Sequence, residues 1–101
     1  MAIGLKAVTS LLGYQQITSL SSATGLTVPA ATTAGLSAKP AIALIVAETA
    51  AVRWRDDGVA PTASVGMPLA AGSMLQYDGD IGAIQFIEQT GGAKLNVSYY
   101  V

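Results

Sequence analysis

AIALIVAETAAVRWRDDGVAPTASVG, residues Ala41 to Gly66, holds the densest apolar run of the chain, its only tryptophan and both of its arginines. The part from Ala41 to Glu48 is rich in β-branched residues, is too short for an isolated buried helix and follows Pro40, so it predicts a buried strand. A second strand is predicted from Ala51 to Arg55. We interpret the stretch as a hairpin of two strands that leads into a turn.

The second strand alternates between two faces, as a half-buried strand does. Val52 and Trp54 point one way, whereas Arg53 and Arg55 point the other. The turn follows at residues 56–58, Asp-Asp-Gly, because aspartate bonds its own downstream backbone and glycine accepts a positive φ. The predicted core face of the two strands holds Ile42, Leu44, Val46, Val52 and Trp54.

The composition indicates one small domain with an unusually neutral surface. Of 101 residues, 51% are hydrophobic and only 11% are charged, whereas an ordinary soluble domain is about 25% charged. A surface with so few charges resists association weakly. The sequence therefore predicts that much of the surface is covered by copies of the chain or by a larger partner.

The charge pattern and the missing residue types exclude several functions. The net charge is −1 and the basic residues are scattered, so binding to nucleic acid is not expected. The chain has no cysteine and no histidine, which removes disulfides, thiolate nucleophiles, the usual zinc sites and histidine acid–base chemistry. We expect neither an enzyme nor a cofactor. No apolar stretch is long enough to predict a signal peptide or a membrane span.

The rest of the chain predicts further short strands separated by turn residues. Val59 to Gly66 contains Pro61 and is expected as an edge strand or an extended loop, and residues 67–69 as a turn. The last two strands are predicted to form a hairpin across residues 89–92. The remaining strands are predicted at Tyr14 to Leu20, Gly25 to Val28, Ser73 to Tyr77, Ile81 to Glu88 and Ala93 to Val101.

These patterns predict an all-β protein. The expected fold is a single-domain antiparallel β-sandwich, jelly-roll-like, with about seven or eight short strands. Residues 1–13 are expected as an N-terminal arm or first strand, and residues 14–101 as the sandwich domain. In the last strand, the predicted core face holds Leu95, Val97, Tyr99 and Val101.

Acidic residues offer two candidate sites, each with a simpler explanation. Asp56, Asp57, Asp78 and Asp80 could converge on a hard cation, but the same residues are what tight turns require, and their spacing does not match an EF-hand loop. Glu48 and Glu88 could act as a carboxylate pair in glycoside hydrolysis, but each is better explained as the solvated end of a strand. We therefore predict no metal site and no catalytic residue.

Aromatic residues offer a third candidate. Trp54 between two arginines could be a stacking platform for a sugar or a base, but its alternation with Val52 favours a core position. Tyr99 and Tyr100 point to opposite faces, so one of them is expected to be exposed, and exposed tyrosine is a common interface residue. Asn96-Val97-Ser98 matches the glycosylation pattern but falls within a predicted strand, and we disregard it.

Three stretches of the sequence resemble a known family. They are GYQQITSLSSATGLTVPA (Gly13 to Ala30), AVRWRDDGVAPTASVGMPLAA (Ala51 to Ala71) and IQFIEQTGGAKLNVSYY (Ile84 to Tyr100). The most specific motifs are WRDDG followed by PTASVGMPL, and IQFIEQ followed by NVSYY. The chain resembles small structural proteins encoded among the virion genes of tailed bacteriophages and prophages. The resemblance implies a small β-sandwich unit of the particle, with capsid decoration, or cement, as its commonest role.

The leading hypothesis is a capsid decoration protein that binds the assembled shell and stabilises it. Its expected partners are the major capsid protein and further copies of itself, with a homotrimer favoured. Its expected location is the capsid surface, after assembly in the host cytoplasm. The alternatives are a head–tail connector, tail or fibre-base component, and a carbohydrate-binding β-sandwich that uses Trp54 and Tyr100. The residues expected at the partner interface are Leu5, Arg53, Arg55, Asp56, Asp57 and Tyr100.

Overall fold

The structure, a computed structural model, describes residues 11–28 and 40–100. These residues form eight strands in two antiparallel sheets and no helix. The first sheet has the order β1-β8-β3-β6 and the second the order β2-β7-β4-β5. The strands are β1 (Leu11–Ile17), β2 (Thr24–Gly25), β3 (Ile42–Glu48), β4 (Val52–Arg55), β5 (Met67–Leu69), β6 (Met74–Tyr77), β7 (Gln85–Glu88) and β8 (Lys94–Tyr100).

The strand pairing is that of a jelly roll. Strand β1 pairs with β8, β2 with β7, β3 with β6 and β4 with β5, as in one long hairpin that has been rolled up. The pairs β3–β8 and β4–β7 complete the two sheets. All of these pairs are antiparallel. The predicted all-β sandwich is therefore confirmed, and its strand order, which the sequence did not specify, is that of a jelly roll.

The two hairpins predicted from the sequence are wrong, because consecutive strands change sheets. Strand β3 lies in the first sheet and β4 in the second, and they are joined through Thr49, whose φ is 77°. Strand β4 pairs instead with β5, beyond the loop at residues 56–66. Likewise, residues 89–92 carry the chain from β7 in the second sheet to β8 in the first. Turn residues mark where a strand ends, but they do not determine which strand it pairs with.

Strand β5 occupies residues that were predicted as a turn. Met67–Leu69 pairs with β4 at the edge of the second sheet, and Pro68 lies opposite Arg53. Proline is tolerated here because an edge strand has one side without ladder hydrogen bonds. The preceding residues 59–66 form a loop. A loop is one of the two forms predicted for Val59 to Gly66, an edge strand or an extended loop.

The core face of β3 is the opposite of the predicted one. Ala43, Ile45 and Ala47 are fully buried, whereas Ile42, Leu44 and Val46 are half-buried on the outer side of the sheet. Both sets are apolar, so period-2 alternation could not choose between them.

The rings of neighbouring strands explain this choice. Ala43 lies between Tyr77 of β6 and Tyr99 of β8, and these buried rings leave room only for a small side chain. A core of fixed volume places small residues beside large ones. The same constraint acts at Ala47, which lies opposite the fully buried Leu95.

The predicted core faces of β4 and β8 are confirmed. Val52 is fully buried, and Trp54 is half-buried and packs against the core, with its ring edge-on to Tyr77 at a centroid distance of 6.0 Å. In β8, the alternate residues Leu95, Val97 and Tyr99 are buried. The predicted core residue Val101 lies outside the described residues, as does the N-terminal segment 1–10.

Two buried tyrosines, Tyr77 and Tyr99, each donate a hydrogen bond to a residue of another strand or strand end. Tyr77 Oη donates to Asp56 Oδ2 at 2.8 Å, which connects β6 of the first sheet to the end of β4 in the second. Burial, together with this bond, raises the pKa of Tyr77 to about 12. Tyr99 Oη donates to Gln15 Oε1 at 2.7 Å, and burial raises the pKa of Tyr99 to about 12. The backbone N–H of Thr27 donates to the same Gln15 oxygen, at 3.1 Å.

Candidate interaction surface

The side of the first sheet that faces away from the core carries a row of apolar side chains, and we call it the outer face. Strand β3 contributes Ile42, Leu44 and Val46, all half-buried. Tyr100 lies opposite Ile42 on one side, and Met74, which is 61% exposed, lies opposite Val46 on the other. No strand or helix of the described residues lies over this face. Within residues 11–28 and 40–100 it is therefore an apolar surface that no other element covers.

A shallow groove lies at one end of the outer face. Ile42, Leu44, Gln76 and Tyr100 line a volume of about 360 Å³ that opens broadly to solvent. The groove combines two aliphatic walls with an aromatic ring and one amide. This is the mixture that receives a protruding side chain of a partner, in which apolar surface supplies affinity and a few polar groups supply orientation.

Charged residues in the first sheet are confined to the opposite end of this face. Its four strands contain only Glu48 and Lys94, which lie opposite each other in the register of β3 and β8. At the end of the face that holds the groove, where Ile42 lies opposite Tyr100, the strands carry no charged residue. A partner that covers the groove therefore does not have to remove water from an ionised group of these strands, a step that costs free energy.

A row of polar side chains crosses three strands beside the apolar residues. Tyr14 Oη and Gln16 Nε2 of β1 both donate to Asn96 Oδ1 of β8, the second at 3.0 Å. Asn96 Nδ2 in turn donates to Glu48 Oε1 of β3 at 2.9 Å. Both ends of the Asn96 amide are thus used within the sheet.

The second sheet differs, because its outward arginine is held by the chain itself. Arg53 Nε donates to the carbonyl oxygen of Ala63 at 3.1 Å, and its terminal Nη1 donates to that of Gly66 at 2.9 Å. Gly66 has a φ of 145°, and a Cβ there would lie 3.1 Å from Arg53 Cβ. Arg53 therefore fastens the loop at residues 59–66 to β4.

Arg55, Asp56 and Asp57 are also used locally. Arg55 Nε donates to Asp57 Oδ1 at 3.0 Å, and the two side chains form an ion pair. The hydrogen bond from Arg55 lowers the pKa of Asp57, and the same bond raises the pKa of Arg55. Asp56 accepts the hydrogen bond from Tyr77. These contacts shape the tip of the loop, where the Arg55–Asp57 pair is partly exposed to solvent.

The structure does not bring the predicted interface residues together. Tyr100 lies on the outer face of the first sheet, whereas Arg53, Arg55 and the two aspartates lie at the second sheet. Leu5 lies outside the described residues. Trp54 and Tyr100, proposed together as a sugar platform, are also in different sheets, and Trp54 packs against the core.

Sequence reasoning missed three of the four groove residues. Ile42 and Leu44 were assigned to the core, and Gln76 was not singled out. The signal that could have identified them is the alternation of large residues with Ala43 and Ala47 in β3. Because alanine fits between buried rings and isoleucine does not, the small residues of such a strand favour the inner side.

The acidic side chains of residues 11–28 and 40–100 are not gathered in one place. No group of three or more acidic side chains within residues 11–28 and 40–100 is placed to hold a metal ion. Glu48 and Glu88 belong to different sheets, at the ends of β3 and β7. Asp80 accepts from the backbone N–H of Gly82 at 3.2 Å, as a turn residue does.

Comparisons with known proteins place the chain in no group. No family model, no curated protein and no solved structure matches it. Across the described strands and turns, no helix is long and apolar enough to cross a membrane.

Proposed function

We propose that this protein is a structural component of a tailed-bacteriophage virion, a capsid decoration protein that binds the assembled shell through the outer face of the first sheet. One observation carries the proposal. The groove formed by Ile42, Leu44, Gln76 and Tyr100 is apolar, has no charged residue in its walls and is not covered by any strand of the described residues. Such a surface is expected to meet another protein.

The proposed action is mechanical. A protein that binds only the assembled shell stabilises that state by its free energy of binding, as any ligand does. Many weak contacts repeated over one particle add up to a large total. The low fraction of charged residues, 11%, suits a protein whose surface is shared with neighbours. The partners are the major capsid protein and further copies of this chain, at the capsid surface.

The fold and the sequence resemblance give additional support. Jelly rolls are frequent in viral capsid proteins and in lectins, and the motifs WRDDG and NVSYY resemble virion proteins of tailed phages. A fold-level likeness favours a class of function without assigning a site. The site therefore rests on the groove, in which Tyr100 is the central contact. The Arg55–Asp57 pair and Leu5 stay predicted partner contacts from the sequence, separate from the groove.

The decisive experiment is binding to shells that lack the protein. Purified protein is mixed with such shells, and cosedimentation and heat resistance are measured. Leu44→Gln makes the groove polar, and we expect it to weaken binding at least tenfold. The matched control is Ile87→Gln on β7, because Ile87 is a half-buried aliphatic residue facing outward from the second sheet, opposite Arg53.

Two outcomes would contradict this proposal. If the unaltered protein does not cosediment with shells, the decoration role is wrong. If Ile87→Gln weakens binding and Leu44→Gln does not, the shell contacts the other sheet. Copy number separates the alternatives, since a decoration protein is spread over the whole shell whereas a connector, tail or fibre-base component is present at one vertex.

Carbohydrate binding is the second candidate, and the groove favours it through one feature. Tyr100 and Gln76 place an aromatic ring beside an amide in an open groove, a combination that can stack on and hydrogen-bond to a flat polar ring. Glycan-array binding that Tyr100→Ala removes, with the circular dichroism spectrum unchanged, would promote this role. No binding to any glycan would eliminate it.

A further inference from the structure

The two sheets have four edge strands, and these differ greatly in length. Strand β2 has two residues, β5 has three including Pro68, and β6 has four. Strand β1, at the edge of the first sheet, has seven. It is the longest edge strand of the described residues. A sandwich with one long edge is open to strand addition there.

The outer edge of β1 has backbone groups that pair with no strand of the described residues. On its inner edge, β1 pairs regularly with β8 from Gly13 to Ile17, and the register shifts only between Leu11 and Gly13. In residues 11–28 and 40–100, no strand pairs with its other edge. About half of the N–H and C=O groups of an edge strand point away from its neighbour. The regular part of β1 therefore presents a straight row of donors and acceptors.

This edge has few of the features that prevent unwanted pairing. Natural edge strands are protected by lysine, proline, inward charges or short length. Strand β1, LLGYQQI, contains no charged residue and no proline. Leu11 is 57% exposed and Tyr14 is 61% exposed. The one protective feature is the register shift between Leu11 and Gly13. The edge from Gly13 to Ile17 is regular and can pair with another strand.

We propose that the free edge of β1 pairs antiparallel with the same edge of a second copy of this chain. Two first sheets then join into one continuous sheet across a two-fold axis. An axis at Tyr14 places Gly13 of one copy opposite Gln15 of the other, and Tyr14 opposite Tyr14. Because β1 has no charged residue, pairing with its own copy brings no like charges together. For the same reason, β1 offers no ionic attraction to an acidic or basic strand of another protein.

The pairing is two-fold, which differs from the trimer expected from the sequence. A self-pair of β1 closes after two copies. A ring of three built by strand addition would need β1 to pair with the other edge of the sheet, β6, which has only four residues. The inference goes beyond shell binding and is tested on the purified protein alone. Its consequence for the proposed function is that two grooves share one rigid surface, which raises the avidity for a repeating partner.

A disulfide test measures the pairing directly, because the chain has no cysteine of its own. In antiparallel pairs, opposed Cα atoms lie about 4.5–5.5 Å apart, which is within the range that a disulfide spans. We expect Tyr14→Cys or Gln16→Cys to give a covalent dimer under mild oxidation, and which of the two responds reports the register. The matched control is Met74→Cys on the opposite edge strand, since Met74 and Tyr14 are both 61% exposed.

Sedimentation equilibrium of the unoxidised protein provides the second measurement. We expect a monomer–dimer equilibrium that Tyr14→Lys with Gln16→Lys weakens at least tenfold, and that Met74→Lys leaves unchanged. The pairing is wrong if the unaltered protein stays monomeric at millimolar concentration. It is also wrong if a dimer or trimer dissociates with Met74→Lys but not with the β1 variant, or if neither cysteine on β1 crosslinks while the protein is dimeric.

Discussion

The outer sides of the two sheets use their side chains in opposite ways. On the first sheet, Leu44 and Tyr100 line an apolar groove that no strand of the described chain covers. On the second, Arg53 is bonded to the carbonyl oxygens of its own loop and Arg55 is paired with Asp57. The charged residues that resembled partner contacts stabilise local structure, and the apolar residues that resembled core are covered by no strand of residues 11–28 and 40–100.

The difference shows that side-chain polarity alone does not identify an interface. A guanidinium group has five donors in a fixed geometry and is readily satisfied by backbone carbonyls within the same chain. An aliphatic side chain on a sheet that has no covering layer has no such internal alternative. In a protein with so few charges, the surface most available to a partner is therefore the uncovered apolar one.

The largest expected effect comes from comparing two neighbouring residues of β3. Ile45 is fully buried, whereas Leu44 is half-buried on the outer face. Ile45→Ala is expected to lower the free energy of unfolding by about 2 to 5 kcal/mol, the usual range for such a core truncation. Leu44→Ala removes much less buried surface and should cost under about 1.5 kcal/mol. Urea denaturation measures both, and the reverse order would mean that the core face of β3 has been assigned wrongly.

The next effect concerns the contact that joins the sheets at the end of β4. A Cβ at Gly79 would lie 2.4 Å from Tyr77 Oη and 2.7 Å from Cζ of the same ring. Gly79→Ala must therefore shift the Tyr77 ring or the turn backbone, and we expect it to strain the hydrogen bond from Tyr77 to Asp56, at a cost of about 1 to 3 kcal/mol. Gly82→Ala is the control, because its nearest atom would be 3.6 Å away. Equal stability of the two variants in urea denaturation would rule out this close approach.

A smaller effect separates the two arginines. Arg53→Ala removes two hydrogen bonds to the loop and should cost about 1 to 2 kcal/mol. It should also raise amide hydrogen exchange within residues 61–66. Arg55→Ala breaks only an exposed ion pair, and such pairs contribute little to stability. Its unfolding midpoint should not change, and a larger loss in Arg55→Ala than in Arg53→Ala would contradict the roles assigned here.

The smallest effect is a loss of stability in alkali, when the buried tyrosines ionise, and it is absent at neutral pH. The pKa values of Tyr77 and Tyr99 are raised to about 12 in the folded protein, against about 10 in an unfolded chain. The neutral phenol is thus favoured by folding. The contribution of these two tyrosines to the free energy of unfolding is complete below about pH 10 and is lost as the pH rises towards 12. The midpoint of urea denaturation should fall over this interval. The midpoint of Tyr77→Phe should fall less steeply, because one of the two phenols is missing.

The fold class was predictable from the sequence because turn residues and alternation are local signals. Asp56-Asp57-Gly58 ends β4 as expected, and Leu95, Val97 and Tyr99 point inward as predicted. Which strands pair is not a local property. The turn at residues 89–92 has the composition of a hairpin loop, yet it joins strands of different sheets. Composition does not distinguish a turn within a sheet from one that crosses the sandwich.

The candidate surface was less predictable, for a reason specific to β3. Its sequence IALIVAE is apolar on both sides, so polarity does not show which side is buried. The volume of Tyr77 and Tyr99 decides it, and these residues are distant in sequence. The local contacts of Arg53 were unpredictable for a different reason. Arg53 was correctly placed outside the core, but the two carbonyl oxygens that accept its hydrogen bonds come from a loop whose conformation the sequence does not specify.

The position of β8 has a consequence for how the chain acquires its structure. Strand β8 lies between β1 and β3, so the first sheet is incomplete until this late segment has been synthesised. Leu11 pairs with Tyr100, and closing so large a loop is costly in entropy. Folds dominated by such distant pairings fold slowly, in about milliseconds to seconds. Until β8 is inserted, β1 and β3 expose apolar strand edges on the ribosome, where a chaperone or a second nascent chain could bind them.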